Sequence, residues 1–146
     1  MTDPIRLLLA DDQQMVRAGF RLVLDAQPDM SVVGEANDGA EALQLVDELA
    51  PDVVLMDIRM PVLDGLGATE KIMTSHPEAK ILVLTTFDLD EYVHSALRAG
   101  ASGFMLKDAG PTELLAAIRA VRDGDSVVAP SATRRLIERF IPRQGE

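Results

Sequence analysis

The chain has no cysteine among its 146 residues, which excludes a disulfide framework and any thiolate metal site. Basic residues are scarce: 14 Lys and Arg stand against 24 Asp and Glu, a formal net charge of −10. A surface that grips a nucleic-acid backbone must be basic, so this stretch is not expected to hold DNA or RNA itself. No apolar run approaches the roughly 18–20 residues that span a bilayer. The opening Met1-Thr2-Asp3-Pro4-Ile5-Arg6 lacks the charged-then-apolar profile of a signal peptide. The two histidines, His76 and His94, are far apart, not at ligand spacing, and read as surface residues. A soluble cytoplasmic protein is expected, with no membrane partner.

What is present points to one folded domain. A hydrophobic content of 47% argues against disorder, and the length suits one core better than two. Apolar runs of four to six residues alternate with helical patterns of about a dozen, the signature of repeated βα units on a parallel sheet. A first helix is expected over about 13–26, with Val16, Phe20, Val23 and Leu24 facing inward, and a strand over 31–36. Asn37-Asp38-Gly39 caps a second helix that buries Ala42, Leu43, Val46 and Leu49. A third helix runs from about Asp64 to His76, and a fourth turns Tyr92, Val93, Ala96 and Leu97 inward before Gly100. Pro111 opens a fifth, which buries Leu114, Leu115, Ile118 and Val121 and stops before Gly124. Residues 1–124 therefore form the domain. Residues 125–146 read as connector, with a short helix at Ser131–Phe140 that cannot fold alone.

Four of the apolar runs end on groups that phosphate chemistry can use. Leu7–Ala10 runs into Asp11-Asp12, Val53–Met56 into Asp57, Ile81–Leu84 into Thr85, and Gly103–Leu106 into Lys107. Parallel strands would gather all five at the carboxyl edge of one sheet, where open α/β sheets bind ligands. Three carboxylates there call for a hard cation such as Mg²⁺. Asp57 can serve as a carboxylate nucleophile, with Lys107 offsetting phosphoryl charge and Thr85 donating to a phosphoryl oxygen. Singly, each has a plain explanation: an aspartate after a strand is usually a turn former or helix cap, and Asp12 could simply cap the first helix. The joint occurrence at four strand ends is what argues for a site.

These residues resemble a known family. Leu9-Ala10-Asp11-Asp12, Leu55-Met56-Asp57-Ile58-Arg59-Met60-Pro61 with Asp64-Gly65, Thr85-Thr86 and Leu106-Lys107 are similar to the receiver domain of bacterial two-component response regulators. The resemblance covers about residues 5–123. It implies a doubly wound, flavodoxin-like (βα)5 sheet of order 2-1-3-4-5 and phosphorylation of Asp57 by a sensor histidine kinase. It further implies that Mg²⁺ is held by Asp12, Asp57 and the backbone carbonyl of Arg59, with Asp11 acting through water. Thr85 and Lys107 would contact the phosphoryl group, and Phe104 occupies the place of the family's aromatic switch residue. The only catalysis implied is of the domain's own phosphorylation and dephosphorylation.

Thr85-Thr86-Phe87-Asp88, Arg98–Phe104 and Leu106-Lys107-Asp108 look like the NarL/FixJ branch. There a linker helix leads to a LuxR-type helix-turn-helix domain, and phosphorylation often drives homodimerisation. The expectation is a chain cut before that DNA-binding domain, with a stand-alone receiver as the alternative. A dimer face on the first and fifth helices is expected. The resemblance implies that Arg59 and Phe87 flank the approach of water; neither side chain can orient it as a carboxylate or amide could, so a long-lived phosphorylated state is expected. Many receivers have proline after the lysine; here Asp108 follows. A haloacid-dehalogenase-like phosphatase would need a second aspartate where Arg59 stands, and a flavin domain would need a phosphate loop after the first strand.

Overall fold

Five apolar segments rich in Val, Ile and Leu alternate with five amphipathic ones, and each kind forms the element its pattern favours. The computed structural model describes residues 3–86, 90–125 and 127–128. The strands are β1 (Ile5–Ala10), β2 (Met30–Ala36), β3 (Val53–Asp57), β4 (Ile81–Thr85), β5 (Gly103–Leu106) and β6 (Val127–Val128). The helices are α1 (Gln14–Asp25), α2 (Gly39–Leu49), α3 (Gly65–Ser75), α4 (Asp90–Arg98) and α5 (Pro111–Arg122). All strand pairs are parallel, in the order β2-β1-β3-β4-β5-β6. The flavodoxin-like order 2-1-3-4-5 with five helices is therefore present.

The short β6 was not expected. It falls in the stretch read as connector and pairs with β5, Gly103 opposite Val127 and Phe104 opposite Val128. Two valines are too few to show a period, so only the neighbouring edge of β5 reveals them as strand. The expected Ser131–Phe140 helix and Phe87 lie outside the described residues, as do the side chains of Tyr92 and Val93.

Alternate residues of each strand serve two separate cores. Leu8, Ala10, Val54, Met56, Ile81, Val83 and Phe104 pack under α2, α3 and α4 with Ala42, Val46, Ala68, Ile72 and Ala96. Ile5, Leu7, Leu9, Val53, Leu55, Leu82, Leu84 and Met105 pack under α1 and α5 with Leu24, Leu114, Ile118 and Val121. Burying both faces is what a parallel sheet requires, and it leaves function to the loops at the strand ends. Asp38 and Asp64 cap α2 and α3, accepting from the N–H groups of Glu41 and Gly67.

Candidate functional site at the carboxyl edge of the sheet

The period of two decides which strand-end side chains meet. Asp11 continues the row Ile5-Leu7-Leu9, Asp57 the row Val53-Leu55, and Lys107 follows Met105; all three rows belong to the face covered by α1 and α5. On that face Lys107 Nζ lies 2.7 Å from Asp11 Oδ2 and 3.0 Å from Asp57 Oδ2. Thr85 continues Ile81-Val83 on the opposite face, the one that holds Phe104. A backbone bond from the Lys107 N–H to the Thr85 carbonyl, 2.7 Å, ties the two strand ends together.

The acidic residues form a graded cluster. Asp11 and Asp57 are buried, Asp57 at 7% exposure, while Asp12 is exposed. One carboxylate oxygen from each lies within 4.8 Å of the others. Oxygen donors at that spacing suit a hard divalent cation, open to water on the Asp12 side. An adjoining hollow is lined by Asp12, Ile58, Arg59, Met60, Pro61, Asp64 and Leu66, which brings Arg59 to the same opening as Asp12. Asp11 has one oxygen on the Gln13 N–H at 2.8 Å and the other on Lys107. Both of its carboxylate oxygens are thus engaged by the protein.

Burial pushes the pKa of Asp57 up; Lys107 pulls it down only in part, and the charges of Asp11 and Asp12 raise it further. Burial works against the Lys107 ammonium, but its bonds to Asp11 and Asp57 outweigh that and hold its pKa above the ordinary lysine value. The lysine therefore stays charged at neutral pH, and Asp57 is a more basic carboxylate than an exposed aspartate. Such a carboxylate carries no proton to remove and can attack phosphorus directly.

The β3–α3 loop is held against this site. Gly65 N–H donates to the Ile58 carbonyl at 2.8 Å, and Ile58 N–H to the Leu84 carbonyl at 3.3 Å. A Cβ at position 65 would sit 1.9 Å from the Asp57 carbonyl oxygen, so only glycine fits. Phe104 is 0% exposed and packs among the residues of the α2, α3 and α4 face. The Lys107–Asp108 peptide is trans.

Every strand-end residue singled out in the sequence thus reaches this edge, with Asp11, Asp57 and Lys107 in direct contact. Arg17 and Glu35 escape the sequence reading. Arg17 is buried beneath Asp11 and bonded to it and to Glu35. Its spacing was the available signal: it stands three residues before Phe20 and seven before Leu24, on the inward stripe of α1.

A doubly wound sheet with an acidic cluster and a lysine at its switch-point edge defines a phosphoacceptor class of protein. The profile of the response regulator receiver domain matches residues 7–119. The chain is 48% identical over 143 residues to the uncharacterized transcriptional regulatory protein YxjL of Bacillus subtilis strain 168, covering 97% of this chain and 66% of that one. It is 43% identical over 143 residues to the oxygen regulatory protein NreC of Staphylococcus carnosus strain TM300, again 97% and 66%. A LuxR-family two-component response regulator from Aurantimonas sp. SI85-9A1 superposes with a TM-score of 0.90 at 34% identity, over 96% of this chain and 100% of that one. The chain belongs to the response regulator receiver domain family. It spans 66% of the length of these two curated relatives.

Proposed function

We propose that the chain is a receiver that takes a phosphoryl group onto Asp57 from a sensor histidine kinase, with Mg²⁺ at Asp12, Asp57 and the Arg59 carbonyl and with Asp11 acting through water. Lys107 carries the proposal: a charged ammonium clasped by two buried carboxylates, with a third carboxylate beside them. An Asp57 oxygen forms the bond to phosphorus while the donor nitrogen leaves with its electron pair. Lys107 stays within reach of the phosphoryl oxygens and of Asp11, so charge remains balanced as the group arrives. Mg²⁺, when bound, supplies further positive charge against those oxygens. Thr85, at the end of β4, donates its hydroxyl to the phosphoryl group, and the buried Phe104 shifts with it. With no hydroxyl, Phe104 has only packing to separate its two states.

The output is control of transcription, by a homodimer that works in the cytoplasm. DNA is met through a helix-turn-helix domain and not through this acidic chain. In support of transcriptional control stands the name of the Bacillus subtilis relative, a transcriptional regulatory protein. Among the described residues no helix is long and apolar enough to cross a membrane. The test is incubation with acetyl phosphate, followed by intact mass. One phosphate is expected with Mg²⁺, and none with EDTA or in Asp57→Asn. An equal adduct in that variant overturns the assignment.

A further inference from the structure

Arg17 is buried at 7% exposure, and the phosphoryl chemistry does not use it. It sits in the first turn of α1, on the face of the sheet that carries Asp11, Asp57 and Lys107. Its Nη1 donates to the backbone carbonyl of Asp11, and its Nε donates to Glu35 Oε1 at 3.1 Å. Glu35 is on β2, in register with Leu9 of β1, and its other oxygen accepts from Arg21 Nη1 at 2.5 Å. One guanidinium therefore joins the end of β1, the end of β2 and the start of α1.

The bonded oxygen is the telling one. The Asp11 N–H donates to the Ala36 carbonyl at 3.1 Å, and its side chain is taken by Gln13 and Lys107. The carbonyl that Arg17 holds belongs to the peptide plane between Asp11 and Asp12. A trans peptide is planar, so anchoring its oxygen also sets the N–H and Cα of Asp12. We propose that Arg17 is a positioning residue for Asp12: it fixes the peptide between the two acidic residues so that the exposed carboxylate faces the cation position before a cation arrives. The proposal rests on the reading of this cluster as a Mg²⁺ site.

An arginine that merely fastened α1 to the sheet would behave differently. A buried ion pair adds little net stability over an apolar side chain of similar volume, and Glu35 would keep Arg21 as a partner. Orientation of a metal ligand by an outer partner, by contrast, is worth about 10–100-fold in metal affinity. The two roles therefore separate in a metal titration.

Mg²⁺ is titrated calorimetrically at constant pH into the native chain, Arg17→Met, Arg17→Lys and Glu35→Ala, each checked for folding by circular dichroism. Arg17→Met should weaken Mg²⁺ binding by about 10-fold or more. Arg17→Lys should recover part of the loss, since an ammonium reaches the carbonyl but lacks the fork that spans both partners. The control is Arg119→Met, which removes a bidentate pair to Asp29 at the opposite edge of the sheet and should leave the affinity unchanged. A folded Arg17→Met variant with native Mg²⁺ affinity overturns the proposal. If that variant does not fold, Glu35→Ala decides: a slackened guanidinium should weaken binding, and an unchanged affinity overturns the proposal equally. A native chain that binds no Mg²⁺ removes the metal site itself, a failure distinct from that of Arg17.

Discussion

Gly65 rests on the backbone of Asp57: its missing Cβ would stand 1.9 Å from the Asp57 carbonyl oxygen. The first residue of α3 and the last residue of β3 are thereby packed backbone to backbone, and Ile58 to Asp64 must loop between them. The carbonyl of Arg59 is carried on that loop, so the helix start sets where the oxygen proposed to bind Mg²⁺ lies.

Gly65→Ala is therefore expected to push α3 off the strand end. The cost should be about 2–3 kcal/mol, in the range of overpacked cores, with Mg²⁺ affinity falling as the loop shifts. Urea unfolding and Mg²⁺ titration measure the two effects. A variant as stable as the native chain would mean that the loop yields without strain.

The raised pKa of Asp57 predicts a pH dependence. A carboxyl whose folded pKa lies above its unfolded value contributes stability that is fully present below the unfolded value and is lost as pH rises through the folded one. Burial is the main cause of that rise, so an ionised Asp57 costs the metal-free protein stability at neutral pH. Asp57→Asn should melt above the native chain in EDTA at pH 7, with Lys107 keeping Asp11 as its partner. The gap should close as the pH falls through the pKa of Asp57. A native chain that melts higher than the variant at pH 7 would reverse the assignment of sign.

Mg²⁺ should raise the melting temperature of the native chain. At about 100 times Kd, binding to the native state alone adds roughly 2.7 kcal/mol. Asp12→Ala, at an exposed position, should gain metal-free stability through reduced repulsion and lose the Mg²⁺ response. Scanning fluorimetry over a Mg²⁺ series distinguishes these outcomes. Indifference of the native chain to millimolar Mg²⁺ contradicts a cation site here.

Val62 adopts φ 70°, a left-handed conformation that strains a β-branched residue. It is 84% exposed, so little packing is lost on its removal. Val62→Gly should stabilise the fold by about 0.5–1 kcal/mol, strain relief outweighing the added freedom of the unfolded chain. A lower urea midpoint in the variant would show that Val62 makes contacts worth more than its strain.

Much of this architecture is legible in the sequence because two periods dominate it. Runs such as Val53–Met56 and Ile81–Leu84 can be buried on both faces only in a parallel sheet, and the polar residues that end them then share an edge. The place of Arg17 on the inward stripe was legible but its role was not, since a charge there looks like an error in the stripe until Glu35 and the Asp11 carbonyl appear around it. The close approach of Gly65 to Asp57 is likewise a fact of tertiary packing; the sequence shows only Asp64-Gly65 after Pro61. His76 lies at the surface as expected, but its 2.5 Å contact with Asp47, which joins α2 to the end of α3, is announced by no local pattern.

The central claim is that Asp57, among three clustered aspartates, is the residue that takes the phosphoryl group. An acyl phosphate is reduced by borohydride to an alcohol, which converts a phosphorylated aspartate to homoserine and marks its position permanently. The chain, phosphorylated with acetyl phosphate and Mg²⁺, should after reduction and proteolysis yield homoserine at position 57, with Asp11 and Asp12 unchanged. Homoserine at position 11 or 12, or at none of the three, would contradict the account.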